Sequence, residues 1–514
     1  MLKRIGFPLT LLGLACICIA VHYRAGLVVQ NAWFSSDGMY LPVLFADLFA
    51  HGGRLKDWYL TPAPYFFPDY LIYATAYAAS SGTLRQFLVF GLLQLVATTA
   101  AIAWLGRSCI REHATAAAVL VATCFGWLAM RTVEPYIYVL ASGFHFGAFL
   151  ATLAFVAVWL QREQQPARWQ LAGMCALTFL TTLSDMLFVV QTIVPFLLAS
   201  ALVRRADRPF RARAALPHLA ILLAAVLGSV AYKWVVSHRT RYPAKIGLDT
   251  LWPNLHALWD TVAQLSGQVP LLGLVMGVYL AGALVALVRI VQTRGFLGLP
   301  RPLLLLLTFS LFAVLCNLGF FLLVTNVVVN QRYMIAAASW PIIVTVLLLG
   351  HWRTTWFGTA SLALTAALVT LLGIDAWHAP PQNDTAPRAW REDIACIDQA
   401  LAASDARHGI AGYWDAKRIQ AFSGRRLFIA QYLSDLSEHR WITSGAYFRP
   451  TYDFAIISAE WGPEFLLPMD ALLARNGKPV ATTVCANHTV LVYGHDQLRV
   501  DDSAGHAAGL AAPR

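Results

Sequence analysis

The sequence predicts an α-helical polytopic membrane protein of about eleven transmembrane helices, followed by a C-terminal soluble α/β domain. Three observations predict it. The 514 residues are 58% hydrophobic and only 13% charged, where soluble domains carry roughly 25% charged residues. The apolar residues gather in runs of about 17–25, the length a helix needs to cross a bilayer. These runs stop near residue 376, and the rest of the chain has the composition of a soluble domain.

Spans are expected near 5–25, 86–106, 114–130, 143–161, 168–183, 186–203, 217–237, 269–291, 303–325, 332–350 and 356–376. The first, "FPLTLLGLACICIAV", resembles a secretory signal but has no convincing small-residue cleavage site, so it reads as a signal anchor. Residues 26–85 form a long first external loop within a transmembrane domain of residues 1–376. In that loop "YLPVLFADLFA" and "YLIYATAYAAS" read as short amphipathic helices on the membrane surface. Between them "WYLTPAPYFFPDY" combines prolines, which break helices, with aromatics that favour the headgroup zone. "HAPPQNDTAPR" marks a boundary. Beyond it, residues 377–500 read as an external α/β domain, with "REDIACIDQALAAS" a helix and "YDFAIISA" and "TVLVYG" strands. The Ala/Gly-rich tail, 501–514, is expected to be disordered.

Charge sets the orientation. With the N-terminus inside, the inner loops hold 15 Lys and Arg against 3 Asp and Glu. That asymmetry accounts for most of the net charge of +11, as the positive-inside rule expects. The densest basic run, "RRADRPFRARA", falls in an inner loop facing anionic lipid. No folded basic domain accompanies it, which argues against nucleic acid as a partner. Of the eight cysteines, six lie in or beside spans; Cys396 and Cys485 fall in the external domain, where an oxidising compartment permits a disulfide between them.

This topology brings the acids Asp37, Asp47, Asp57, Asp69, Glu134 and Asp185 to the outer side. Asp185, in "TTLSDMLFVV", occupies a turn of almost no length between two spans. A carboxylate so near hydrocarbon needs a partner or a cavity; it reads either as a substrate or cation ligand or as a cap of the next helix. Arg332 in "NQRYMI" stands at the outer boundary, suited to clamp a phosphate or to snorkel to headgroups. Lys233, His238, Arg239, Arg241 and Lys245 form a basic outer strip fit for an anionic lipid head. His145 lies between two phenylalanines, as packing or as a ligand. HExxH, Walker and GxSxG motifs are absent, so nucleotide-driven and zinc-hydrolase chemistry lack support.

The pattern of "SSDGMYLP", "FFPDYLIY", "LSDMLFVVQTIVP" and "NQRYMIAA", with the span count and the external C-terminal domain, resembles the GT-C superfamily of integral membrane glycosyltransferases. The likeness is to bacterial enzymes related to aminoarabinose and mannosyl transferases. It implies a lipid-linked sugar donor on a polyprenyl phosphate and a bacterial inner-membrane location, with a periplasmic C-terminal domain. It further implies a first-loop aspartate as general base: Asp37 first, Asp69 as alternate. Arg332, Lys233, Arg239 and Arg241 become candidates for the donor phosphate, and Asp185, His145 and Glu134 for substrate or a cation. Gly38 follows Asp37 where the family commonly has a second acid, so no acidic metal pair is implied there; a divalent metal elsewhere stays open. Tyr413, Trp414 and Asp415 are acceptor candidates, with core packing as the other use of the two aromatics. Asp37 also reads as a cap of the helix that follows. A transporter or flippase of a lipid-linked glycan or other anion is the rival class. Its usual repeated halves are missing here. Oligomeric state is not legible in the sequence.

Overall fold

A computed structural model describes residues 2–25, 33–207, 215–236, 245–293, 299–325, 331–352, 354–378, 387–458 and 462–500. The tail expected at 501–514 lies outside them. The chain forms two compact units. One comprises Met1–Ala25, Pro62–Ala76 and Leu88–Pro380; the other Gly26–Thr61, Tyr77–Phe87 and Pro381–Arg514.

The first unit is helical. Every expected span coincides with a helix, and eight stretches among the described residues are long and apolar enough to cross a membrane. One of these, Thr83–Met130, contains two helices, Thr83–Ile110 and Ala114–Met130. The Arg168–Ser184 helix and the apolar stretch Val189–Val203 are shorter. The protein is thus a polytopic helical membrane protein.

Burial separates the helices by task. The Ala114–Met130 and Phe146–Gln164 helices are buried along most of their length and form the centre of the unit. The Leu216–Val236, Pro270–Thr293 and Thr354–His378 helices leave most of their apolar side chains uncovered, as helices facing lipid do. Without a hydrophobic drive between helices in lipid, close backbone approach supplies the contact energy. The Leu216–Val236 and Arg168–Ser184 helices pack together in this way. A Cβ on Gly228 would stand 2.8 Å from the Phe179 carbonyl oxygen.

The second unit is an α/β fold around a five-stranded sheet in the order Phe428–Gln431, His408–Ala411, Phe454–Ser458, His488–Val492, Ala481–Cys485. The first three strands are parallel and the last two antiparallel. Successive side chains in a strand point to opposite faces, and the core divides accordingly. Phe454, Ile456, Val490 and Val492 pack on one face with Ile394, Ile397 and Leu401 of the Pro387–Ala402 helix. Ala455 and Leu491 pack on the other face with Tyr432, Tyr447 and Tyr452. The helix and both strands expected from the sequence are present.

First-loop segments complete this unit. The Tyr40–Ala50 helix packs on the Tyr413–Phe422 helix. Trp58–Tyr59 pairs antiparallel with Thr443–Ser444. Cys396 and Cys485 are disulfide bonded across 89 residues of sequence, with Cα atoms 5.7 Å apart. Closing so long a loop removes much freedom from the unfolded chain. The Cys396→Ser/Cys485→Ser pair is therefore expected to lose about 2–5 kcal/mol of stability in this unit. Limited proteolysis and thermal unfolding of the purified protein would read it. An unchanged midpoint would show that the bond contributes nothing.

Candidate functional site

Both units bring polar side chains together among the described residues. In the helical unit the chain enters through Phe67 and Pro68 into the Asp69–Ala79 helix, and Asp69 is 2% exposed. Its carboxyl accepts its own backbone N–H and that of Gly143. It also covers the first turn of the Phe146–Gln164 helix, where a Cβ on Gly147 would fall 1.8 Å from Oδ2. Helix N-termini favour negative charge, but burial opposes it. Burial first, and then the Asp185 carboxylate, raise the Asp69 pKa to about 7 against the pull of the two N–H bonds.

His145 stands just before the same helix, in a left-handed conformation at φ 68°. Its Nδ1 lies 2.6 Å from Asp185 Oδ2, with both side chains buried. Asp185 ends the Arg168–Ser184 helix and accepts the Leu187 N–H on Oδ1 at 3.0 Å. It therefore turns the chain into the next helix while its other oxygen engages His145. A π-helical turn, Val189–Ile193, follows directly; such turns recur at functional sites. The preceding Ser184 takes part as well: its Oγ accepts the Phe67 N–H at 2.7 Å.

Aromatic rings close the cluster. Tyr65 meets the His145 ring edge-on at 5.6 Å, and Tyr333 lies 4.9 Å from it. The Arg332 guanidinium stands 5.4 Å from the Tyr333 ring centre. Asn317 Nδ2 donates to the Tyr333 carbonyl at 2.9 Å and so anchors the short turn Gln331–Met334 that presents Arg332. Burial raises the Glu134 pKa, opposed by a hydrogen bond from Tyr138 and by the Arg332 charge. Asp69, Glu134, His145, Asp185 and Arg332 thus belong to one connected group. Lys233 is exposed in the last turn of its helix. Arg239 and Arg241 lie outside the described residues. Sequence reasoning passed over Tyr65 and Tyr333, although both sit within stretches it had singled out.

Gly147 offers a direct check on this packing. Gly147→Ala is expected to displace the Asp69 carboxyl and cost about 1–3 kcal/mol, as overpacking does. Thermal unfolding in detergent should show the loss, and it should shrink in an Asp69→Ala background, where the obstacle is gone. Equal losses in both backgrounds would mean that Asp69 is not what alanine meets.

In the second unit Asp37 is half-buried. It does not cap the Tyr40–Ala50 helix, whose N-cap position is Met39. Instead Asp37 Oδ1 accepts a hydrogen bond from the Tyr413 hydroxyl. Ser36 Oγ donates to the Tyr413 carbonyl at 2.6 Å, which ties the same loop to the start of the Tyr413–Phe422 helix. Trp414 packs on Tyr413 and on Phe465. Asp415 is buried, and His488 joins it to Asp393 at 3.2 and 2.6 Å. Burial alone would lower the His488 pKa, but hydrogen bonds to Asp393 and Asp415 raise it to about 9.

Among the described residues, Asp453, His495 and Asp496 hold potential metal-ligand atoms within 4.8 Å of one another. The Asp453 carboxylate already accepts the N–H groups of Arg407, His408 and Asp496, at 2.8–3.0 Å, and meets His495 Nδ1 at 3.1 Å. These bonds describe a loop lock better than an open coordination sphere, so this donor set fits a resident metal poorly.

No protein-family model and no curated protein matches the sequence. Solved structures include chains that align with this one. A crystal structure of ArnT from Cupriavidus metallidurans bound to undecaprenyl phosphate aligns with a TM-score of 0.58 at 11% identity, over 98% of this chain and 98% of that one. The Archaeoglobus fulgidus oligosaccharyltransferase, solved in complex with Zn and sulfate, aligns with a TM-score of 0.43 at 14% identity, over 81% of this chain and 61% of that one. The chain shares the fold of that ArnT structure along nearly its whole length.

Proposed function

We propose that this chain, having the GT-C fold, is a membrane glycosyltransferase that moves a sugar from a polyprenyl-phosphate donor to an acceptor on the outer face of a bacterial inner membrane. The observation that carries the reading is the end-to-end likeness to a protein crystallised with undecaprenyl phosphate. The disulfide supports an oxidising compartment for the C-terminal region, and so a cytoplasmic N-terminus and an extracytoplasmic C-terminus.

In this reading Asp37 is the general base. A base must reach the proton it takes. Asp37 is half-exposed, whereas Asp69 is enclosed and its carboxyl is engaged by backbone N–H groups. Asp37 removes the proton of the acceptor hydroxyl as that oxygen attacks the anomeric carbon. The bond from the sugar to the phosphate oxygen breaks, and the polyprenyl phosphate leaves with the electron pair. Arg332 takes the donor phosphate, because its planar guanidinium offers paired donors to an oxyanion and steadies the charge that grows on the leaving group. His145 and Asp185 hold the Arg332–Tyr333 turn through the Tyr333 ring and offer polar atoms to sugar hydroxyls.

Purified protein should be mixed with radiolabelled sugars on undecaprenyl phosphate and a total membrane lipid extract. Label moving into the acceptor lipid supports the reading. Facilitated passage of the intact donor across proteoliposomes, with no transfer, would identify a flippase instead.

A further inference from the structure

The chemistry proposed for Asp37 leaves unused a buried amine beside it. Lys417 is 2% exposed, although a lysine ammonium is strongly hydrated and rarely enclosed. It lies four residues after Tyr413 on the same helix, and i,i+4 side chains share a face. Its Nζ stands 4.2 Å from the centre of the Tyr413 ring, the ring whose hydroxyl donates to Asp37. Gln431 faces Lys417 from the neighbouring strand. With its amide turned so that the nitrogen donates to the Trp441 carbonyl, its oxygen accepts from Lys417 Nζ at 2.9 Å.

We propose that Tyr413 and Lys417 are positioning residues for Asp37: the phenol aims the carboxylate by holding Oδ1, and the enclosed ammonium stabilises the carboxylate charge. This rests on the reading of Asp37 as the base.

Three physical points support it. A hydrogen bond to an ionised carboxylate is stronger than one between neutral groups and fixes its plane. An ammonium over the Tyr413 ring polarises the phenol and sharpens that bond. A cation in a poorly solvated site also acts on a nearby carboxylate with little screening. Burial lowers the Lys417 pKa to about 7, and the Asp37 charge opposes that fall, so the two groups sense each other. Other groups near Lys417 do not replace it. His439, edge-on to Tyr413 at 5.2 Å, has its pKa lowered to about 4 by burial and then by Lys417, and so stays neutral. On the same helix Asp415 is taken by His488, and Arg418 is buried.

The test uses the full-length protein with whichever radiolabelled undecaprenyl-phosphate sugar the wild type transfers. Tyr413→Phe keeps the ring and removes only the hydroxyl. It should lower kcat about 10- to 100-fold, as loss of orientation does, with donor KM changed by less than about twofold. Lys417→Met should lower kcat about 10-fold with donor KM changed by less than about twofold. A merely structural role would lower the thermal midpoint without that split between kcat and KM. Wild-type kcat in Tyr413→Phe, with Asp37→Asn inactive, would overturn the positioning role and leave Asp37 as base. Full activity in Asp37→Asn would remove the base reading itself. Should Lys417→Met fail to fold, Tyr413→Phe decides alone.

Discussion

Asp37→Asn is expected to lower the rate of sugar transfer by about 10²–10⁴-fold, the usual contribution of a positioned general base. The substitution is nearly isosteric, and the asparagine carbonyl still accepts the Tyr413 hydroxyl that Asp37 Oδ1 accepts. The fold should therefore survive, with a thermal midpoint in detergent close to that of the wild type. Binding of undecaprenyl phosphate should also persist, since the phosphate is assigned to Arg332. The loss then falls on kcat and not on donor affinity, as for an interaction made only in the transition state. Asp69→Asn separates the two acids. With Asp69 enclosed and raised to about 7, its amide should keep most of the activity if Asp37 is the base. Full transfer by Asp37→Asn would exclude Asp37, and inactivity of Asp69→Asn alone would move the role to Asp69.

Arg332→Ala is expected to weaken binding of undecaprenyl phosphate by about 10- to 100-fold, since hydrogen bonds to charged groups contribute roughly 1.5–3 kcal/mol. The guanidinium is presented by the Gln331–Met334 turn, which Asn317 anchors through the Tyr333 carbonyl. Removing the side chain should leave that turn in place. Arg332→Lys keeps the charge but loses the paired donors and should bind with intermediate affinity. Exposed Lys233 is the control: alanine there should cost less than about 1 kcal/mol, as for other solvent-screened charges. Titration of the detergent-solubilised protein with undecaprenyl phosphate reads all three. Equal affinity in Arg332→Ala and wild type would take Arg332 out of the phosphate site.

Much of the fold was legible because its signals are local. Each apolar run coincides with a helix, since a segment in hydrocarbon must satisfy its own backbone hydrogen bonds. Two of the five strands of the C-terminal sheet were legible from the β-branched runs "YDFAIISA" and "TVLVYG". The site was legible only as a list of exceptional residues. Asp185 and Arg332 drew notice because charges at membrane boundaries need partners, and the structure connects them through His145 and Tyr333. Tyr65 and Tyr333 carried no such signal, because aromatics are ordinary in a chain of this composition. Asp37 read as a general base or as a helix cap; the helix begins after Met39, and the carboxylate pairs with Tyr413, 376 residues away. Asp415 read as an acceptor candidate and is buried against His488.

By itself the sequence determined that the chain is a polytopic helical membrane protein, where its long apolar helices lie, and that an α/β region follows. Hydropathy and charge are sums over neighbouring residues, so they can be read along the chain. Only the tertiary structure decided the partners: that Asp69 sits on the turn at Gly147, that Asp185 holds His145, that Tyr413 grips Asp37, and that Lys417 is enclosed beneath that pair. Those contacts join residues far apart in sequence, and a buried charge acquires its chemistry from the groups that replace water around it.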